Sequence, residues 1–194
     1  MYELPKHTTI NGEPFKIRDN GDFRLVLHCF EILNSAELNQ KEQIIACLMC
    51  FYEDFDELED VLLFKYFQEA IEQMFWFFDC GQNYEQTKSS PSLIDWEKDS
   101  NLICSAVNNV AGKEIRDEGY IHWWTFMSYY MAIGDCALSN IVGIRYKLAK
   151  GEKLEKYEKK FIQDNPQYFN RDYRTADQKA ADEYVKALWN GGNE

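Results

Sequence analysis

Basic charge is scarce in this chain: 21 Lys and Arg stand against 33 Asp and Glu, for a net charge of −12. Nucleic acid binding needs a basic surface to displace counterions, so no DNA or RNA partner is expected. An acidic surface instead favours solubility and protein partners with basic patches. Long hydrophobic runs are also missing. The most apolar stretch, 61–78, is interrupted by Lys65, Gln68, Glu69, Glu72 and Gln73, so no membrane span is expected. The opening MYELPKHTTINGEP has neither the basic nor the apolar region of a signal peptide, and a cytosolic, non-secreted protein is expected. No glycine-rich phosphate loop occurs, since Gly134, Gly143 and Gly151 fit no known spacing. His122 has no Ser or Cys nucleophile in a recognisable arrangement. Cys47-Leu48-Met49-Cys50 has no second CxxC and lies mid-helix, not at a helix N-terminus where thiolates are stabilised. The six cysteines therefore read as free thiols in a reducing compartment. Nothing points to an enzyme, a metal or a cofactor.

What is present is helical periodicity. A length of 194 residues suits one domain. Residues 8–10 and 13–17 flank Asn11-Gly12, the strongest short turn signal, and predict a β-hairpin that must lean on helices. Helices are expected over 23–33, with Phe23, Val26, Leu27 and Phe30 inward, and over 40–52, with Ile44, Ile45, Leu48 and Phe51 inward. The longest is expected over 57–79, closed by Gly81. Residues 82–91 read as a polar linker between halves 1–81 and 92–165. Ser92 and Asp95 predict a capping box opening a helix to Ala111, with Trp96, Asp99, Ile103, Ala106, Val107 and Val110 on its inner stripe. The stretch 120–133 (YIHWWTFMSYYMAI) has no charge between His122 and Gly134 and predicts a buried central helix. Thr125, Ser128 and Ala132 form a small-residue side for close helix approach. Asp135 caps the next helix, which carries Leu138, Ile141, Val142, Leu148 and Ala149 with Arg145 at its centre. A charged helix over 153–163 has Leu154, Tyr157 and Phe161 as its apolar edge. Its lysines and glutamates read as a solvated face with i, i+4 pairs. Pro166 stops it, and 166–194 reads as an appendage with a last helix over 175–189. The fold class is mainly α: a compact multi-helix bundle around the aromatic helix with a short N-terminal β-hairpin, residues 1–165 forming one domain.

Two charges sit on apolar stripes. An unpaired buried charge is very costly, so Asp99 and Arg145 are expected to meet in fork geometry. The pair fixes helix register in the favoured reading, since no cluster of reactive groups accompanies it. His122 reads as a polar handle at a helix start and belongs, with Trp123, Trp124 and Phe126, to the core. Trp76 continues a polar row at i+4 from Glu72. It marks a partner surface together with Tyr84 in the linker, unless a neighbouring segment covers it.

Asp99, Ile103 and Ala106, then Tyr120-Ile121-His122-Trp123-Trp124-Thr125-Phe126, then Ile141 to Ile144 followed by Arg145, resemble the core of the bacteriophage tail assembly chaperone family. Its members are small helical proteins encoded beside the tape measure protein in long-tailed phages. The continuation Tyr146 to Leu154 fits as well, and the likeness covers about residues 5–165. The resemblance implies a protein of the host cytoplasm. It would hold the tape measure protein soluble and help recruit tail tube subunits, with a homo-oligomer among the expectations. A minor structural protein retained in the virion tail, or an acidic nucleic-acid mimic that inhibits a host protein, are the alternatives.

Overall fold

The computed structural model describes residues 3–53, 55, 66–82 and 91–172. The described chain is mainly helical with a short antiparallel hairpin, as the periodicity predicts. Strands β1 (His7–Ile10) and β2 (Glu13–Lys16) lead into a 3-10 turn, Arg18–Gly21. Helices follow as α1 (Phe23–Leu33), α2 (Gln40–Phe51), α3 (Phe67–Phe78), α4 (Ser100–Ala111), α5 (Trp123–Met131), α6 (Ala137–Lys150) and α7 (Lys156–Asp164). Of the helix expected over 57–79, residues 57–65 lie outside the described residues, as do most of the linker 82–91 and the last helix 175–189. The contacts divide the chain into two compact units: Met1–Tyr84 with Ile103–Ile133, and Glu85–Leu102 with Gly134–Glu194. These units differ from the halves expected on either side of the linker, and α4 contains one boundary between them.

In the first unit the hairpin turns on Asn11 (φ 53°) and Gly12 (φ 83°), the left-handed pair that matches strand twist. It leans on α3 by the bond from the Asn11 amide to the Glu69 carboxylate, 3.1 Å. Beneath it, Thr8 Oγ1 donates to the Tyr52 hydroxyl (3.1 Å), which donates to the Ala70 carbonyl (3.2 Å), all three residues buried. Arg18 closes the C-terminus of α2, where carbonyls lack helical partners. Its guanidinium donates to the carbonyls of Cys50 (2.8 Å), Tyr52 (2.9 Å) and Met49 (3.1 Å). The core holds Val26, Leu48, Phe51, Met74, Phe77, Trp123 and Phe126. Phe23 and Phe126 stack at 4.8 Å, and Phe30 meets Trp123 edge-on at 5.8 Å.

Several expected faces are rotated. On α1, Leu25 and Cys29 are buried, and Leu27 and Phe30 only half-buried. Asp22 caps the helix by accepting from the Arg24 amide (3.0 Å). On α2, Cys47 is buried while Ile44 and Ile45 are half-buried. On α4, Val110 is exposed, and Trp96, in the turn before it, is half-buried. Helix α5 is not buried all round. It is nine residues long, Met131 is 77% exposed, and Ser128 and Ala132 are exposed, so the close helix approach along the small residues is not made. The cause is directional: both indoles must reach carbonyls of α3, which fixes the face that turns inward.

In the second unit Ile141, Ile144 and Phe169 form the core, with Leu102, Leu148, Leu154, Phe161 and Ile162 packed on it. Gly151 ends α6 in the left-handed conformation (φ 68°). Phe169 lies in the stretch read as the start of an appendage, yet it is buried in this core and meets Phe161 edge-on at 6.0 Å. Tyr157, expected on the apolar edge of α7, is 71% exposed, and Glu158 is buried in its place.

Candidate functional site

In the second unit, Arg145 and Asp99 are 1% and 2% exposed. Arg145 Nη1 and Nη2 donate to the two carboxylate oxygens at 2.6 and 2.9 Å. Its remaining donors reach the Leu93 carbonyl (2.9 Å) and the Tyr168 carbonyl (2.8 and 3.0 Å). Five N–H groups thus make five bonds. Asp99 Oδ2 also accepts from the Asp95 amide at 2.9 Å, while Asp95 Oδ1 accepts from the Lys98 amide at 2.9 Å. Asp95 therefore caps the turn that precedes α4, and Ser92, whose hydroxyl donates to the Ile94 carbonyl, does not. The expected helix from residue 92 becomes a turn before α4. Burial pushes the Asp99 carboxyl up, but the bonds from Arg145 and Asp95 and the charges of Arg145 and Arg171 outweigh it and hold it below its ordinary value. Arg171, 3.5 Å from Asp99 and 3.6 Å from Asp95, was not foreseen. Its only sequence signal is a second carboxylate, Asp95, one turn from Asp99. With every Arg145 donor used inside the chain, the pair joins the Leu93 and Tyr168 segments to α6 and leaves no donor for a ligand.

In the first unit, His122 caps α5. Its Nδ1 accepts from the Trp124 amide (3.0 Å) and its Nε2 meets the Pro5 carbonyl (2.9 Å), so the neutral ring carries its proton on Nε2. Burial lowers its pKa; the Lys6 charge adds to this, and the Pro5 bond and Asp22 oppose it. Both ring nitrogens are engaged, which leaves none for acid–base work. Trp123 Nε1 donates to the Phe78 carbonyl (2.8 Å) and Trp124 Nε1 to the Phe77 carbonyl (2.9 Å). The two indoles thereby satisfy carbonyls at the C-terminal end of α3. Trp123, His122 and Phe126 are buried, and Trp124 is half-buried. Asp22 joins this junction to α1, accepting from the Ile121 amide at 2.9 Å. Gly21, at φ 75°, has the Phe77 ring where a Cβ would lie, 2.5 Å away. Trp76 is half-buried and meets Trp124 edge-on at 5.5 Å, so a neighbouring side chain partly covers it. Tyr84 lies outside the described residues.

Cys47 and Cys50 face α1. Cys29 Sγ lies 4.0 Å from the Cys47 carbonyl, and Cys47 Sγ lies 3.5 Å from Met74 Sδ. A hydrogen bond with Cys29 lowers the Cys50 thiol to about 7 against its partial burial, with help from His28 and Arg18. All six cysteines are free, and no group of three or more metal-ligating side chains occurs among the described residues. No helix among the described residues is long and apolar enough to cross a membrane.

Helices α6 and α7 enclose an open groove of about 960 Å³. Lys147 crosses one side of it to reach Glu158 at 2.6 Å, and Glu158 also accepts from the Glu155 amide at 2.7 Å. Of the lysines and glutamates of 147–160, Lys147 and Glu158 thus pair between helices, while Lys150, Glu152, Lys153, Glu155, Lys156, Lys159 and Lys160 are exposed, as on a solvated face. Lys147 draws Glu158 inward and turns Tyr157 out.

No curated protein and no solved structure matches the chain. The family described as Bacteriophage Gp15 protein matches residues 1–170, and the chain belongs to that bacteriophage family.

Proposed function

We propose that this protein is a tail assembly chaperone that binds the tape measure protein in the host cytoplasm and aids assembly of the tail tube around it. The observation that carries the reading is the His122-Trp123-Trp124-x-Phe126 core flanked by Asp99 and Arg145, in a chain that belongs to a bacteriophage family. Acidity and a helical build support it. A helical client with apolar seams is covered by helix-in-groove contacts, and several modest contacts give reversible binding. Trp76 is proposed as one contact. Co-expression tests the reading directly: the tape measure protein should become soluble and co-purify with this chain. A tape measure protein that stays insoluble, or purifies alone, would refute it. Purified virions should lack the protein by mass spectrometry, whereas stoichiometric presence would favour a structural tail component. Trp76→Ala should weaken the co-purification, and unchanged recovery removes that residue from the surface.

A further inference from the structure

The α6–α7 groove opens where α6 is bare. Gly143 sits mid-helix, where glycine is unfavourable relative to alanine. It is exposed, and apart from its own stretch of helix nothing lies within 4 Å of where its Cβ would be. Ala137 and Gly143 line the α6 side, and Phe161 stands on the α7 side. The residues from 136 to 147 that line α6 span roughly 16 Å at 1.5 Å per residue. At a helix diameter of about 10–12 Å, a volume of about 960 Å³ corresponds to roughly 10 Å of helix, or about two turns. An open groove that size takes one face of a somewhat longer helix.

Charge says which helix. Lys147, near the end of α6, pairs with Glu158, near the start of α7, at one end of the groove, which leaves the start of α6 and the end of α7 to its other end. Asp135 and Asp164 both line that end, both exposed and neither in an ion pair among the described residues. Lys160, one turn before Asp164, offsets one of the two. The other end is neutral, since Lys147 and Glu158 satisfy each other there. The groove surface is mainly apolar, with Ser139 and Asn140 as neutral polar groups on the α6 side, and it is net negative at one end, on a chain of charge −12.

We infer that the α6–α7 groove seats a single amphipathic helix of the partner, its small or apolar face against Gly143 and Phe161 and a Lys or Arg between Asp135 and Asp164. The partner's helical character rests on the chaperone reading; the groove and its charge do not. The test uses the full chain and a stapled amphipathic peptide with an alanine–leucine face, a glutamine remainder and arginines at one end. A sister peptide carries glutamates instead. Amide shifts on titration should centre on Gly143 and Ala137, with the glutamate peptide at least tenfold weaker. Gly143→Leu, which fills the groove and improves helix propensity, should weaken the arginine peptide at least tenfold while the chain stays folded. Asp135→Asn with Asp164→Asn should abolish the preference for arginine. Absence of Gly143 shifts at millimolar peptide overturns the inference, as do equal affinities for the two peptides or an unchanged Gly143→Leu. Gly143 shifts that grow with protein concentration alone would make the face a contact between copies and also overturn it. Peptide binding at Gly143 without tape measure binding would sink the chaperone reading and keep the groove; the reverse outcome would do the opposite.

Discussion

Replacing Arg145 with Met tests the buried pair most sharply. The change deletes five hydrogen bonds and leaves Asp99, 2% exposed, with the Asp95 amide and the more distant Arg171. Removing one member of a buried ion pair costs about 3–5 kcal/mol, most of it from the charge left behind. Arg171 stands 3.5 Å away and partly compensates, which places the expected loss near 3–4 kcal/mol. At a urea slope of about 1–3 kcal/mol/M, the midpoint should fall by more than about 1 M. Adding Asp99→Asn should recover about 1–2 kcal/mol, because it removes the orphaned charge yet keeps an acceptor for the Asp95 amide. The pH dependence supplies a sign. In the parent protein the Asp99 pKa is lowered, so its contribution is present above the unfolded value of about 3.9 and is lost as the pH falls through the folded one. In Arg145→Met burial dominates and the folded pKa rises above the unfolded one. The folded state then binds more protons, and the penalty should shrink as the pH drops from 7 toward 5. Urea unfolding at both pH values, followed by circular dichroism and by hydrogen exchange of α6 amides, checks both points. A penalty under about 1 kcal/mol, or one equal at both pH values, would refute the reasoning.

Three further outcomes follow from the first unit. Gly21→Ala must hold a left-handed backbone and push back the buried Phe77 ring, so thermal unfolding should show a loss of about 2–3 kcal/mol. Trp123→Phe leaves the buried Phe78 carbonyl without its indole donor and should cost about 2–4 kcal/mol by urea titration. The same change at half-buried Trp124 should cost less, because less of its ring is withdrawn from water. The lowered pKa of His122 means that the unfolded chain protonates first as the pH falls. Stability from this residue is present above about 6.5, declines as the pH falls from there through the folded value, and is then flat; His122→Gln should flatten that stretch of a stability–pH curve.

The hairpin was legible because Asn11-Gly12 demands two positive φ values that few other pairs supply. The Asp99–Arg145 contact was legible because two charges on apolar stripes have few ways to be satisfied. What was not legible depended on hydrogen bonds between distant segments. Ser92 and Asp95 present the right letters for a capping box, but the Asp99 carboxylate takes the Asp95 amide and moves the cap to Asp95. The composition of α5 says buried, yet two indole N–H groups choose its inner face and leave Met131 outside. Glu158 looks like one of many solvated carboxylates until Lys147, on the preceding helix, pulls it in. In the candidate groove, Gly143 showed only as a glycine of no known spacing; its role depends on what α7 leaves uncovered.

The first unit is assembled from two stretches of chain, and this bears on how the protein is made. Asp22 receives the Ile121 amide, 99 residues later, and Phe30 and Phe78 wait for Trp123. A ribosome adding about 5–20 residues per second needs roughly 5–20 s to cover that gap. During that interval α1 waits throughout, and α3, once made, waits through the remaining residues to Trp123, with the aromatic partner of both not yet synthesised. An expression fragment ending at residue 84 would stay in that condition permanently. Synthesis speed across residues 85–122 therefore governs how long the nascent chain is open to aggregation, and slowing it there should lower the soluble yield while the finished fold stays the same.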